Sequence, residues 1–189
     1  MNKAVLFAFL LVALAGCGPA KPWHATDITG AMPRLAFAMT RAGDGAAVSA
    51  ENYRGRVTIL FFGYTNCPDI CPMTLANLSD VLRQLGRDAD KVRVLFVTVD
   101  PNRDTPPILK KYVEAFAPQI DGLSGSDNAL ADLARRYRVA YSVKTQPKYE
   151  VMHTSAVFFF DATGRARLVT LSTDDTSGLV EDVKRLVRE

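Results

Sequence analysis

Two cysteines four positions apart lie at a junction between a strand-like and a helix-like segment of this chain. Cys67 and Cys71 belong to the run GYTNCPDICP, residues 63–72, which follows the apolar stretch from Val57 to Phe62 and precedes an amphipathic stretch from Met73 to Leu85. A spacing of four puts both sulfurs on one face of a helical turn, where they can share a metal ion or form a disulfide. The neighbouring helix N-terminus also favours thiolates. The chemistry of the pair therefore depends on a third group.

Apolar strands and amphipathic helices alternate along the rest of the chain. Val57 to Phe62 and Val92 to Val99 are continuous apolar runs, which is typical of strands buried on both faces. Apolar spacing predicts helices over residues 75–85, 106–116, 128–137 and 179–187, and a hairpin that pairs 156–160 with 166–171. A βαβ unit, a hairpin and a final helix form the order of an α/β thioredoxin-like fold. We expect a central mixed sheet flanked by helices, with an N-terminal extension and insertions.

The N-terminus predicts export and a lipid anchor. Lys3 precedes an apolar run from Ala4 to Leu14, which is typical of a secretory signal and too short for an ordinary spanning helix. Small residues directly before Cys17 resemble the lipobox of bacterial lipoproteins, which implies cleavage before Cys17 and diacylation of its sulfur. We expect residues 1–16 to be the signal peptide, 17–31 the lipidated N-terminus and a flexible tether, and 32–189 the domain. The domain would then face the periplasm or the extracellular side of a bacterial membrane, where thiols tend to oxidise.

The charge distribution excludes one class of partner. The formal net charge is +3, or +2 without Lys3, and positive and negative residues are interspersed. Nucleic acid is therefore not an expected partner. The length beyond the signal peptide suits one domain with a substantial core.

Three separate motifs resemble those of the Sco/SenC family. They are GYTNCPDICP at residues 63–72, VDPNRDTP at residues 99–106, and the pair Tyr149 and His153 before an aromatic strand. They occur in the family's order, and the resemblance extends from about Ala36 to the C-terminus. The resemblance implies a membrane-tethered thioredoxin-like domain that binds one copper ion through two cysteines and a histidine.

Carried over to this sequence, the copper ligands would be Cys67, Cys71 and His153. Two thiolates and an imidazole form a soft donor set that suits Cu(I), accommodates Cu(II), and is one ligand short of a closed structural zinc site. The resemblance also implies delivery of copper, or of electrons, to the copper-bearing subunit of cytochrome c oxidase, with other periplasmic copper chaperones as further partners. The alternative for His153 is a partly buried residue satisfied by backbone hydrogen bonds. The second histidine, His24, is expected to be solvated and without a role.

The competing function is thiol–disulfide exchange, with Cys67 and Cys71 as the redox-active pair of a reductase. Thioredoxin-like oxidoreductases carry Cys-x-x-Cys and a proline in the opposite loop, whereas this chain has three residues between its cysteines and His153 in that loop. No lysine or arginine occurs between Gly63 and Leu82, and Asp69 lies between the cysteines, which favours a bound cation over a nucleophilic thiolate. A metallochaperone is therefore favoured over an enzyme. A copper or redox sensor is a third alternative that the sequence does not separate.

Four charged residues near the motifs are candidates for hydrogen bonding around the ligands or for docking a partner. They are Asp69, Asp100, Arg103 and Asp104. Asp104 or Thr105 would serve equally well as the cap of the following helix. Met73 and Met152 are soft and lie close to the ligands in sequence, yet core packing is the expected role of both. Met152 also stands where the family commonly has an acidic residue.

Overall fold

Strands and helices alternate along residues 21–189, the part of the chain that the computed structural model describes. The strands are β1 (Thr26–Asp27), β2 (Ala38–Arg41), β3 (Ala47–Ser49), β4 (Val57–Gly63), β5 (Val92–Thr98), β6 (Ile120–Ser124), β7 (Tyr141–Lys144), β8 (Glu150–His153), β9 (Val157–Phe160) and β10 (Ala166–Thr170). The helices are α1 (Ile70–Leu85), α2 (Pro106–Glu114), α3 (Asp127–Arg136) and α4 (Thr176–Arg188). Short 3₁₀ helices cover Ala50–Tyr53 and Gly86–Lys91.

Eight of these strands form one mixed sheet in the order β1-β10-β9-β4-β5-β6-β2-β3. Strands β4, β5 and β6 are parallel, whereas β9 runs antiparallel to β4 with Phe61 opposite Val157. Strands β7 and β8 form a separate antiparallel hairpin. This is the central mixed sheet flanked by helices that the sequence predicts.

The central strand β4 contributes side chains to two hydrophobic cores, because successive residues of a strand point to opposite faces of the sheet. Ile59 and Phe61 belong to the first core, which α1, α2 and α4 cover. Leu60 and Phe62 belong to the second core, together with residues of α3 and with Tyr137. Helices on both faces explain why every residue of β4 is buried.

The folded part of the chain begins before residue 32. Strand β1 pairs with β10 at the edge of the sheet. The backbone N–H groups of His24 and Ala25 donate to the buried carboxylate of Asp182 at 3.1 and 2.8 Å. The His24 ring lies 3.4 Å from carboxylate oxygens of Asp175 and Glu181. Residues 21–31 therefore pack on the domain and do not form a flexible tether, while the His24 side chain is exposed, as predicted, beside the carboxylates of α4. Nothing in the local sequence of residues 21–31 indicates that Asp182 of α4 accepts these hydrogen bonds.

The predicted signal peptide and Cys17 lie outside the described residues, and both stay predictions. Within residues 21–189, no helix combines the length and the apolar character that crossing a bilayer requires. The longest described helix is α1, with 16 residues and one buried face.

Three segments that are distant in sequence meet at the end of the sheet where β4 and β5 finish. The chain leaves β4 into the cysteine loop at this end, and it leaves β5 into the turn that holds Asp100 and Asp104. The hairpin of β7 and β8 ends at His153 just before β9, which starts at the same end because it is antiparallel to β4. The topology therefore brings the cysteine and histidine motifs together.

Candidate metal centre

The cysteine loop connects Gly63, at the end of β4, to the first turn of α1. The N–H of Cys67 donates to the carbonyl of Tyr64 at 3.2 Å, which closes a tight turn. Cys71 is the second residue of α1, and its N–H donates to the Cys67 sulfur at 3.4 Å. Pro72 follows in the first helical turn, where a backbone N–H has no intrahelical acceptor, so the missing donor costs nothing. The local sequence thus holds both sulfurs on the same side of the loop.

The imidazole of His153 faces the cysteines in a fixed orientation. Its Nδ1 lies 3.0 Å from the carbonyl oxygen of Thr154, which can only accept, so Nδ1 carries the proton. Its Nε2 lies 3.3 Å from the Cys71 sulfur. The rings of Phe61 and Tyr64 make edge contacts with the imidazole at centroid distances of 6.0 and 5.9 Å. The nitrogen that faces the sulfurs is therefore the one with a free lone pair, as a metal ligand requires.

Three soft donor atoms converge at this point. One ligand atom each from Cys67, Cys71 and His153 lies within 4.8 Å of the others. Cys71 is fully buried, whereas Cys67 and His153 are half-buried, so the cluster opens to solvent on the side of these two residues. Both of these cysteines are free thiols. The donor types, their proximity and their partial burial fit a soft metal ion such as Cu(I).

Burial controls the protonation of two of the converging residues, Cys71 and His153. It raises the pKa of the Cys71 thiol far above its usual value; a backbone hydrogen bond from Tyr64 opposes this effect, and the nearby Cys67 and Asp104 reinforce it. Burial also lowers the pKa of His153, against the opposing effect of the Thr154 carbonyl. At neutral pH, Cys71 is therefore a thiol and His153 is uncharged. The expectation that the helix N-terminus favours a thiolate fails for Cys71, because desolvation outweighs the helix dipole.

Asp104 ties the end of β5 to the cysteine loop. Its carboxylate is fully buried and accepts hydrogen bonds from the N–H and hydroxyl of Thr65 at 3.0 and 2.6 Å. It also accepts one from the Thr98 hydroxyl at 2.6 Å. Neither Asp104 nor Thr105 caps α2 through its side chain, which decides between the two roles expected of this segment. Asp104 therefore positions the loop two residues before Cys67.

Asp100 and Arg103 fasten the hairpin that carries His153. The buried Asp100 carboxylate accepts hydrogen bonds from the Tyr149 hydroxyl and from Arg103 Nε, both at 2.5 Å. The Arg103 guanidinium also stacks on the Tyr149 ring, 3.7 Å from its centroid. The hydrogen bond to Asp100 raises the pKa of Tyr149. Because Tyr149 directly precedes β8, these contacts link the histidine hairpin to the end of β5.

Three further residues near the site, Asp69, Met73 and Met152, lie at the surface. Asp69 is exposed at the start of α1, makes no side-chain capping bond, and is not among the three converging donors. The prediction that Met73 and Met152 pack in the core is wrong, because they are 44% and 67% exposed. Met73 lies on the outer face of α1, and Met152 points away from the cluster since it alternates with His153 along β8.

Sequence reasoning missed two further residues around the cysteines. The Tyr112 hydroxyl is buried and has no hydrogen-bond partner among the described residues, and its ring lies 5.5 Å from that of Phe96. A Cβ atom on Gly63 would lie 2.5 Å from the Phe96 ring and 3.0 Å from the Cys71 sulfur. Glycine is therefore required at the end of β4 by the close approach of the Phe96 ring of β5 and of Cys71 on α1, although the sequence shows only a glycine after an apolar run.

Replacing Gly63 with alanine is expected to destabilise the fold by about 1 to 3 kcal/mol, because the added methyl group overpacks a filled core. The same methyl group should push the Cys71 sulfur away from His153 and weaken metal binding. Urea unfolding and copper titration of the variant measure the two effects. Gly43→Ala is the matched control, since a Cβ there meets nothing within 4 Å. Equal stability of the two variants would contradict the close contact.

Residues 34–188 match the SCO1/SenC family. The chain belongs to this family. Among its relatives, the mitochondrial SCO2 homolog of Bos taurus is 36% identical over 191 residues, covering 87% of this chain and 72% of that protein. The SCO2-like protein of Rickettsia conorii is 31% identical over 126 residues, covering 65% of this chain. The match spans 62% of the length of the Rickettsia protein.

A solved relative shares the fold. The structure of Bradyrhizobium japonicum ScoI with copper bound superposes with a TM-score of 0.73 and 37% identity, covering 81% of this chain and 98% of that one. The predicted SCO1/SenC membership and the predicted thioredoxin-like fold are therefore confirmed.

Proposed function

We propose that this protein is a membrane-anchored copper chaperone outside the cytoplasm. It binds one copper ion through Cys67, Cys71 and His153 and delivers it to the binuclear copper site of cytochrome c oxidase. The convergence of these three donors within 4.8 Å carries the proposal. The copper-bound structure of the Bradyrhizobium relative supports the choice of metal. The oxidase as recipient follows from the Sco/SenC resemblance of the three sequence motifs.

The residues around the donors suit a site that loads and releases an ion. Two thiolates bind Cu(I) strongly, while the imidazole ligand is oriented by its bond to the Thr154 carbonyl. The half-buried Cys67 and His153 leave the ion within reach of a partner's ligands. Three protein donors also leave coordination positions for an incoming ligand, unlike a closed four-ligand structural site.

Anaerobic titration of the reduced protein with Cu(I) tests the binding step, with one equivalent expected per chain. Cells that lack the gene are expected to lose cytochrome c oxidase activity, and the wild-type gene should restore it. A gene in which both Cys67 and Cys71 are replaced by alanine should not. Normal oxidase activity without the gene, or no copper bound by the reduced protein, would contradict the proposal.

Copper affinity is expected to rise with pH, by at least about tenfold per unit between pH 6 and 8. The raised pKa keeps Cys71 protonated over this range, so binding must release its proton, and the affinity falls as protons compete. Burial lowers the pKa of His153, so proton release from this residue is smaller than that from Cys71. Competition with a Cu(I) chelator at three pH values measures the slope. His153→Ala is the control and should keep it; a flat profile would contradict the buried thiol.

The lipid anchor at Cys17 is a separate part of the proposal. Two acyl chains on this residue give firm membrane attachment, so release should require detergent and not salt. Cys17→Ser should abolish membrane attachment and leave copper binding by the domain unchanged, because the proposed ligands Cys67, Cys71 and His153 all lie within the described residues of the domain. Mass spectrometry of the mature N-terminus and membrane fractionation provide the measurements. A retained Met1 to Gly16, or an unmodified Cys17, would overturn the anchor alone.

Thiol–disulfide exchange is the second candidate, and the proximity of the two free sulfurs favours it. The oxidised protein should contain a Cys67–Cys71 disulfide that blocks copper, since the same sulfurs serve both purposes. However, no lysine or arginine occurs between Gly63 and Leu82 to activate a thiolate, and burial raises the pKa of the second sulfur, that of Cys71. Turnover in a disulfide-reductase assay should therefore be slow beside that of a thioredoxin. Rapid turnover without tight copper binding would favour the reductase.

A further inference from the structure

The Tyr112 hydroxyl is a buried polar group without a hydrogen-bond partner among the described residues. A buried hydroxyl that makes no hydrogen bond costs free energy. Nearly every such group in a folded protein therefore has a partner, and each exception calls for an explanation. Because this exception lies near the proposed metal centre, we looked for its explanation there.

Tyr112 lies in the layer of side chains that surrounds the Cys71 sulfur. It belongs to α2, and its ring lies 5.5 Å from that of Phe96 on β5. The Phe96 ring and the Cys71 sulfur both approach the end of β4, where a Cβ on Gly63 would lie 2.5 and 3.0 Å from them. Cys71 is part of the first hydrophobic core, and Tyr112 packs against that core. The Phe96 ring therefore links Tyr112 to the surroundings of the sulfur.

The charges of the two sulfurs affect Tyr112. Burial raises the pKa of its hydroxyl, and negative charge on Cys71 and on Cys67 raises this pKa further. The hydroxyl is therefore protonated at neutral pH and lies within electrostatic reach of both sulfurs. A protonated phenol can donate a hydrogen bond.

Copper binding changes what the Cys71 sulfur can accept. A cysteine binds a metal ion as a thiolate, which accepts hydrogen bonds more strongly than a thiol does. The sulfur lies 3.3 Å from Nε2 of His153, but both atoms are proposed ligands, so neither donates to the other once the ion is bound. A backbone hydrogen bond from Tyr64 to the Cys71 sulfur remains. A second donor would further stabilise the buried negative charge.

We propose that Tyr112 is a positioning residue of the metal centre, whose hydroxyl donates a hydrogen bond to the Cys71 sulfur when this sulfur binds copper as a thiolate. This proposal rests on the proposed copper site. The phenol keeps its proton, and the proton that Cys71 gives up goes to solvent. The hydrogen bond stabilises the copper-loaded protein and not the fold itself, because the hydroxyl has no partner to lose before the ion binds.

Tyr112→Phe tests this role, since it removes the hydroxyl and keeps the ring. Before copper is added, the reduced full chain of this variant should resist urea at least as well as the wild type, because it loses only an unpaired buried polar group. Its Cu(I) affinity, measured by chelator competition, is expected to fall about 10- to 100-fold, the usual cost of losing an outer hydrogen-bond partner of a metal ligand. With Cu(II) bound, the sulfur-to-copper absorption band should move to longer wavelength, because the sulfur holds its electrons less tightly without the donor.

Tyr137→Phe is the matched control. Tyr137 is a buried tyrosine of the second hydrophobic core, and its hydroxyl donates to the carbonyl of Arg34 at 2.9 Å. This variant loses a hydrogen bond and should be less stable to urea than the wild type. Its copper affinity and its absorption band should be those of the wild type.

The results separate the role of Tyr112 from the copper site itself. Wild-type protein that binds no copper would overturn the proposed function. Given copper binding by the wild type, an unchanged affinity in Tyr112→Phe would overturn the role of Tyr112. A loss of stability as large as that of Tyr137→Phe would also overturn it, because the hydroxyl would then have a partner before copper binds. A lower affinity with an unmoved absorption band would contradict the proposed hydrogen bond to the sulfur.

Discussion

Replacing Cys71 with serine is expected to lower the Cu(I) affinity by well over 100-fold, more than the roughly 10- to 100-fold that loss of an outer hydrogen-bond partner costs. The change removes one of two anionic soft ligands, and the buried position offers no substitute. His153→Ala should weaken binding less, because both sulfurs remain. Chelator competition under anaerobic conditions gives the three affinities. Serine is nearly the size of cysteine, so the variant should keep its fold, which a melting curve checks.

The chain offers a matched control for each ligand. The chain contains one further histidine, His24, and one further cysteine, Cys17. The variants His24→Ala and Cys17→Ser therefore change the same residue types away from the site. Both should bind copper like the wild type. Equal affinity of the wild type and His153→Ala would remove His153 from the ligand set. Retained tight binding in Cys71→Ser would require a different site altogether.

Continuous apolar runs made the central strands predictable. Residues 57–62 and 92–99 were expected as strands, and β4 and β5 occupy Val57–Gly63 and Val92–Thr98. The end of α1 at Leu85 was also predicted from the sequence. In the structure Gly86 follows with a φ of +59°, a conformation that favours glycine. Buried parallel strands and glycine-terminated helices depend on local composition, which a single sequence reveals.

The short outer strands were not predicted. Strands β2, β3 and β6 have three to five residues, mixed burial and no long apolar run. The hairpin of β7 and β8 lies outside the main sheet and is half exposed, so its period-2 pattern is weak. These elements are defined by their pairing, such as Tyr141 opposite His153, and pairing between distant segments leaves little trace in local sequence.

The donor residues of the site were named from sequence, but their environment was not. The motifs gave Cys67, Cys71 and His153, which the structure brings together. The burial that makes Cys71 a thiol comes from the sheet and helices around it and not from its neighbours in sequence. The exposure of Met73 and Met152 likewise depends on which face of an element each occupies. Residue type alone predicted both in the core, whereas both lie at the surface.

The role of Asp104 could not be predicted from the sequence either. Its partners, Thr65 and Thr98, are 39 and 6 residues away, and nothing in the run VDPNRDTP distinguishes a helix cap from a buried acceptor. In the structure this carboxylate satisfies the Thr65 N–H and two hydroxyls in a fully buried position. Hydrogen bonds to a charged acceptor contribute about 1.5 to 3 kcal/mol each, and donors left without a partner are costly.

Three such bonds are lost in Asp104→Ala, which is therefore expected to lower the free energy of unfolding by at least about 4 kcal/mol. It should also weaken copper binding, because Thr65 lies two residues before Cys67 and its position depends on this carboxylate. Asp104→Asn keeps one acceptor oxygen and should lose about half as much stability. Asp69→Ala removes an exposed carboxylate from the same loop and should change stability by less than about 0.5 kcal/mol. Urea unfolding and copper titration of the three variants measure both effects. If Asp104→Ala were as stable as Asp69→Ala, the buried carboxylate would not hold the cysteine loop in place, and the copper site would depend on the hairpin contacts of Asp100 and Tyr149 instead.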